Sequence, residues 1–172
     1  MSDTVCFNQD SLIKVDDKLI KDIKEKAKSG DSGRYRLCLQ HSAQDCLHEM
    51  FIVRSRDDYG RPDMHLHTTE SHTIVEGVMW VILFEENGEI REAFELSDKG
   101  YRTYRIDTGI YHMQIPVSDQ VVYYEVKLGP FTQETNIFPE WAPQADDKEN
   151  VDRYMKDLRK RVQEIIEKGE IR

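Results

Sequence analysis

The sequence has no apolar run long enough to cross a membrane. Its longest, Val78–Phe84, falls far short of the ~20 residues a helical span needs. It also lacks a basic stripe. The formal net charge is −9, and the densest cationic cluster, Arg159-Lys160-Arg161, lies among acidic residues, so it reads as a solvated helix face and not as a nucleic-acid footprint. Cysteine is scarce. Cys6, Cys38 and Cys46 are odd in number and match no zinc-ligand spacing, which leaves reduced thiols in a cytosolic protein as the simplest expectation. No apolar leader follows Met1, so no secretory signal is expected. Internal repeats and low-complexity tracts are absent. So are the long, wholly apolar strands that a parallel α/β sheet buries on both faces. What remains is a cytoplasmic domain of 172 residues, large enough to bury a core without disulfide staples.

Three regions follow from the patterning. Residues 1–33 hold a helix: Leu19, Ile20, Ile23 and Ala27 recur at helical spacing over Asp16–Lys28, with Asp16 and Asp17 at the dipole-favoured start. Residues 34–130 are strand-rich. Nine short segments, Arg34–Leu39, Glu49–Arg54, Met64–His67, His72–Glu76, Val78–Phe84, Ile90–Leu96, Tyr101–Asp107, Tyr111–Pro116 and Val121–Lys127, are separated by Gly, Pro, Asn and Asp, the pattern of a β-sandwich or barrel. Glu86-Asn87-Gly88 reads as a hairpin turn. Residues 131–172 hold a loop with Phe138, Pro139, Trp141 and Pro143, then a helix over Val151–Lys168. That helix has an apolar stripe (Val151, Tyr154, Met155, Leu158, Val162, Ile165, Ile166), expected to pack on its own domain. A homodimer contact is the alternative.

The chemistry concentrates in Gly60–Gly77. Residues two apart on a strand share a face, so His65 and His67 are expected to project together, with Glu70 and His72 joining after a short turn. Asp107-Thr108-Gly109-Ile110-Tyr111-His112 offers a further imidazole from a separate strand. Imidazoles converging with a carboxylate suit a divalent transition metal (Fe, Mn, Zn, Ni or Co) over a calcium or magnesium site built from oxygen alone.

These two stretches resemble the motifs of the cupin superfamily: a His-x-His pair, a glutamate, then six residues to a glycine (Glu70, Gly77), and later a turn of the form P-x-G-x-x-H, here opening on Asp107. A closer resemblance, to the WbuC-type cupin metalloproteins of bacteria, is carried by Leu39-Gln40-His41-Ser42, by Glu125-Val126-Lys127-Leu128-Gly129-Pro130-Phe131 and by Asn136–Pro143. It implies a mostly β, double-stranded β-helix (jelly-roll) barrel with N- and C-terminal helices. It also implies metal ligands at His65, His67, Glu70 and His112, and an association with surface-polysaccharide biosynthesis. Only Thr68 and Thr69 separate His67 from Glu70, and His72 stands where an apolar residue is usual. His72 therefore has three open roles: replacing Glu70 as a ligand, supporting the ligands from behind, or facing substrate.

Around this metal, His72 and Glu125 are the candidate proton carriers. His41, Arg36, Arg54 and Lys127 are candidates for contacting an anionic sugar or phosphate, although surface charge is the blander reading for at least two of the three cations. His48 is expected at the surface, and Tyr111 is expected to point away from the interior. The function read from these residues is metal-dependent chemistry on a small carbohydrate or nucleotide-sugar intermediate, by isomerisation, epimerisation or oxygenation. Non-catalytic sugar binding or regulation is the alternative. No nucleic-acid or membrane partner is expected.

Overall fold

Alternation along the strands separates an interior face from two helix-covered outer faces. The computed structural model describes residues 4–132 and 136–169. Its elements are β1 (Val5–Phe7), α1 (Asp17–Ser29), β2 (Arg34–Cys38), β3 (Leu47–Ser55), β4 (Met64–His65), β5 (Glu70–Glu76), β6 (Met79–Phe84), β7 (Ile90–Leu96), β8 (Thr103–Ile106), β9 (Tyr111–Pro116), β10 (Gln120–Leu128), β11 (Asn136–Ile137) and α2 (Lys148–Lys168). One sheet has the order β1-β2-β3-β10-β5-β8 and faces a second of order β7-β6-β9, while β11 pairs with β4 at one edge. The fold is the expected mostly β jelly roll with a helix toward each end. No helix among the described residues is long and apolar enough to cross a membrane.

The interior between the sheets divides along its length. At one end Met50, Ile52, Val121 and Tyr123 meet Met79, Val81, Phe94 and Leu96 in an apolar core. At the other, the same alternation turns polar: Glu70, His72 and Glu125 are buried on the large sheet and His112 on the small one. β10 shows the change in a single strand, because Val121, Tyr123, Glu125 and Lys127 occupy successive positions on one face.

Each helix lies on an outer face. Asp16 caps α1 by accepting from the Leu19 amide at 2.9 Å, and the helix buries Ile20, Ile23 and Ala27 on Tyr35, Leu37, Val53 and Val122. Asp147 caps α2, which starts at Lys148, three residues before the expected Val151; the capping carboxylate admits polar residues to the first turn that the apolar stripe does not mark. Leu158 and Val162 of α2 pack on Ile82, Phe84, Ala93, Met113 and Ile115. The stripe thus covers the chain's own small sheet. Burial on this scale stabilises by roughly 1.5–3 kcal/mol for each large apolar side chain. Arg159 is not part of a solvated face: its guanidinium donates to the Pro116 carbonyl at 3.1 Å and the Arg56 carbonyl at 2.8 Å, which ties α2 to the barrel.

The β6–β7 hairpin turns as its Asn-Gly requires. Gly88 has φ +87°, and a Cβ there would lie 2.8 Å from Trp141 Cδ2. The indole Nε1 donates to the Glu86 carbonyl at 3.0 Å, so Trp141 closes over the turn. Gly88→Ala is therefore expected to lower stability by about 1–3 kcal/mol, through positive-φ strain and displacement of the indole. Urea unfolding followed by tryptophan fluorescence would measure the loss.

Candidate metal centre and its cavity

Five elements bring the polar cluster together. On β5, Glu70 and His72 point inward and pair across the sheet with Lys127 and Glu125 of β10. His112 enters from the opposite sheet on β9, beside Leu83 of β6. The chain before β4 is tied to β9 by Asp63, whose amide donates to the His112 carbonyl at 3.2 Å while the His112 amide donates back at 2.9 Å. β4 then carries His65 into the cluster, and β11 places Asn136 directly opposite it.

Glu70 is the hub. Its carboxylate lies 2.8 Å from His112 Nε2, 3.1 Å from His65 Nε2 and 3.7 Å from His72 Nε2. All four side chains are buried. Two of the rings are oriented from behind: His65 Nδ1 is 3.0 Å from Asn136 Oδ1, and His112 Nδ1 is 3.0 Å from the Ile110 carbonyl. Both acceptors place a proton on Nδ1, which aims each Nε2 at the Glu70 carboxylate: it donates to Glu70 when the ring is protonated and is the atom left to bind a metal when it is not. Asn136 Nδ2 donates in turn to Asp63 Oδ2 at 3.0 Å, completing a chain from Asp63 through Asn136 to His65.

Burial alone would raise the Glu70 pKa, but His72, His112 and His65 hold it well below the usual carboxylate range. The same contacts act on the imidazoles. Burial would lower the His112 pKa, and Glu70 with Asp63 overrides it, raising the value to about 9; His65 is also raised against the effect of burial, mainly by Glu70. Asp63 is shifted upward by its burial.

Beside this group stands a second one. His72 Nε2 is 3.2 Å from Glu125 Oε2, and Lys127 Nζ is 3.2 Å from Glu125 Oε1. Burial would raise the Glu125 pKa, but Lys127 and then His72 bring it down to about 2. An ionised Glu125 accepts, so His72 carries its proton on Nε2. The ring lies near Tyr104 and Tyr123, with centroids 4.9 and 5.4 Å away, and its buried Nδ1 has no hydrogen-bond partner among the described residues.

Several expected placements need correction. His67 does not join the cluster. β4 ends at His65, so strand alternation does not extend two residues further, and His67 is exposed in the following loop. His41 is also exposed, its Nδ1 3.0 Å from the Asn8 carbonyl, in a polar loop away from the cavity wall. His48 is buried, not at the surface, because β3 begins earlier than expected and carries it on the inward face with Met50 and Ile52. Arg36, Arg54 and Lys127 all line the cavity; none of them is ordinary surface charge. Asp63 was not singled out in the sequence, yet its spacing of two from His65 was the available signal. Asn136 and the tyrosines around His72 gave no comparable signal. The ligand atoms of Asp63, His65 and His112 lie within 4.8 Å of one another, as do those of Glu70, His72 and Glu125.

The cluster opens into a cavity of about 540 Å³, within the range of roughly 300–1,000 Å³ usual for small-molecule sites.

Comparisons with known proteins agree with this architecture. The capsular polysaccharide assembling protein CapF from Staphylococcus aureus superposes with a TM-score of 0.51 at 18% identity, covering 62% of this chain and 31% of CapF. CapF with the inhibitor 3-isopropenyl-tropolone gives 0.51 at 17% identity, covering 62% and 31%. Both are cupin-fold proteins. This chain has the cupin fold. Oxalate oxidase in complex with the substrate analogue glycolate aligns at 16% identity over 64% of this chain and 57% of that one, with a TM-score of 0.48. The chain spans about a third of CapF's length, and identities this low establish the fold alone. By sequence, no curated protein matches. A family described as a domain of unknown function, DUF6016, matches residues 15–96, which takes in Asp63, His65, Glu70 and His72 and stops before His112 and Glu125.

Gly77 follows Glu70 with six residues between them. It has φ +87°, and a Cβ there would lie 2.8 Å from the Gln120 carbonyl, so the turn from β5 to β6 passes too close to β10 for a side chain.

Proposed function

We propose that this cupin binds one divalent transition metal through His65, His112 and Glu70, and acts on a small molecule admitted by the cavity. The observation that carries the reading is the convergence of two Nε2 atoms on one buried carboxylate, with both Nδ1 atoms held from behind. That donor set fits Fe, Mn, Zn or Ni. Asp63, whose Oδ1 is 4.0 Å from His112 Nε2, is the nearest further oxygen donor. His72 fits a ligand role less well than Glu70, because its Nε2 proton faces Glu125.

Three protein ligands leave coordination positions open, the arrangement of catalytic sites. When bound, the metal would supply Lewis acidity toward a carbonyl or hydroxyl group. This chain's own residues supply the proton handling. Glu125 keeps the proton on His72 Nε2, Lys127 holds Glu125 ionised, and the neighbouring tyrosines exclude water from the ring. The substrate class we favour is a carbohydrate or nucleotide-sugar intermediate. Support comes from the cavity's size and polar wall, and from the cupin frame shared with a capsular polysaccharide assembling protein.

The test is metal content by mass spectrometry on protein prepared without a polyhistidine tag. Near-stoichiometric metal is expected in the wild type and in His67→Ala, with at least a tenfold loss in His65→Ala. Equal metal in the two variants, or none in the wild type, would overturn the reading. Turnover of a nucleotide-sugar panel by metal-loaded protein then separates an enzyme from a binding protein.

A further inference from the structure

We infer that the cavity recognises its small molecule through an anionic group, a phosphate or carboxylate, anchored by Arg36. The inference rests on reading the cavity as a small-molecule site, but not on the metal. The wall carries five cationic residues, Arg34, Arg36, Arg54, Arg61 and Lys127, against three carboxylates, Asp63, Glu70 and Glu125. This excess is local, since the chain as a whole has a formal charge of −9, and Asp58, paired with Arg34 and Arg54, offsets part of it.

Three of these cations, Arg34, Arg54 and Lys127, are matched by carboxylates. Arg34 and Arg54 share Asp58, with Nε–Oδ2 distances of 2.8 and 2.6 Å. Arg61 donates to the Pro139 carbonyl at 2.6 Å and stands over the Phe138 ring, 5.3 Å from its centroid. Lys127 and His72 occupy Glu125, and the imidazoles occupy Glu70. Arg61 has no carboxylate partner and its buried Nε has no hydrogen-bond partner among the described residues, but its Nη2 is held by the Pro139 carbonyl; Arg36 alone of the five has a guanidinium with no such contact. Its Cα pairs with that of Ile52 on β3, which pairs in turn with Tyr123 on β10, so the residue belongs to the inward-facing row one step from Cys38 and Glu125. Its side chain is half-buried, and among the described residues no group forms a hydrogen bond or ion pair with its guanidinium. At ~4.8 Å per strand, β2 stands ~10 Å across the sheet from β10. An anion held by Arg36 would therefore leave the rest of a sugar-sized molecule spanning toward the Glu70 cluster. A planar guanidinium with free donors, partly withdrawn from water, is a bidentate receptor for phosphate or carboxylate. Lys127, with one carboxylate partner for three donors, lies on the path between.

Isothermal titration of inorganic phosphate, malonate and glucose, at matched ionic strength, into wild type, Arg36→Gln, Arg36→Lys and the surface control Arg102→Gln tests this. Phosphate or malonate is expected to bind the wild type and the control alike, with glucose giving no measurable heat; the stronger of the two anions identifies the group recognised. Arg36→Gln should weaken that anion at least tenfold, and Arg36→Lys should fall between. Failure of both anions to bind the wild type overturns the inference. So does equal affinity in Arg36→Gln or, if that variant does not fold, unchanged affinity in Arg36→Lys. Metal content measured on the same samples reports on the metal reading separately: a protein that binds phosphate but no metal sinks that reading and leaves this one standing.

Discussion

Glu70→Gln is expected to abolish stable metal binding while the barrel stays folded. Partners that only support a ligand from behind are typically worth ~10–100-fold in metal affinity. Glu70 faces the two Nε2 atoms directly, so its loss should exceed that range. Mass spectrometry of the purified variant would show metal near background, with circular dichroism unchanged. The amide keeps the side chain's volume, which separates loss of charge from loss of packing. Glu70→Ala removes both and leaves buried imidazoles without their shared acceptor, a change that costs roughly 3–5 kcal/mol when a buried ion pair is broken. Retention of full metal by Glu70→Gln would mean that the Glu70, His65 and His112 contacts are structural.

Metal-free protein carries a second signature of the same hub. The Glu70 pKa is held well below its ordinary 4.5, so its contribution is complete above that value and is lost as pH falls through the folded value. The His112 pKa is raised from 6.5 to about 9, so its contribution is complete below 6.5 and is lost as pH rises through about 9. Both describe one contact from its two ends and count once. Urea midpoints of chelator-treated wild type should therefore fall on both the acid and alkaline sides, and Glu70→Gln should flatten both limbs. A wild-type profile that stays level from pH 7 to 10 would argue against the imidazolium–carboxylate contact in the metal-free state.

Much of the frame was legible because alternation with a period of two is a direct reading of which face a residue occupies. Strands form in all nine expected segments, and the inward positions of His65, His72, His112 and Glu125 follow from them; Glu70 was expected through a turn, and instead opens β5. Alternation does not say where a strand stops. Strand β4 has two residues, so the His65–His67 pair divides between interior and solvent although both fit the motif. Strand β3 starts at Leu47, and that small extension turns His48 inward. The short strands β1 and β11 show no periodicity, being held by pairing with β2 and β4 and not by their own composition. Charge matching was the least legible feature. Arg36, Arg54 and Lys127 looked alike in sequence, yet distant partners make one a buried structural charge, one a neighbour of Glu125 and one an unmatched guanidinium.

Asp58→Ala is expected to be among the most destabilising single changes in the protein. The Asp58 carboxylate accepts from Arg34 at 2.8 and 3.0 Å and from Arg54 at 2.6 Å. The Arg54 side chain is only 3% exposed, and it also donates to the neutral carbonyls of Gln114 and Asp58 at 3.0 and 3.1 Å. Removing the carboxylate leaves a buried guanidinium without a counter-ion, worth roughly 3–5 kcal/mol out of a total that is commonly about 5–15 kcal/mol. Urea unfolding would register the loss. By contrast, breaking the Arg56–Asp119 pair, whose side chains are 53% and 96% exposed, should leave the midpoint unchanged. Burial would raise the Asp58 pKa, but Arg54 and Arg34 pull it below 3.8, so this stabilisation is present above pH 3.8 and disappears as acid protonates the folded state. The effect should reach the metal centre. The Gln114 carbonyl that Arg54 holds belongs to β9, two residues beyond His112, so releasing Arg54 frees the strand that presents one ligand. Asp58→Ala at a temperature where it remains folded should therefore bind metal more weakly than wild type, and Arg54→Met in the same chain should recover part of the stability by removing the stranded charge. A double variant no more stable than Asp58→Ala would show that the carboxylate acts through Arg34 or the loop backbone, and that Arg54 is not the charge it neutralises.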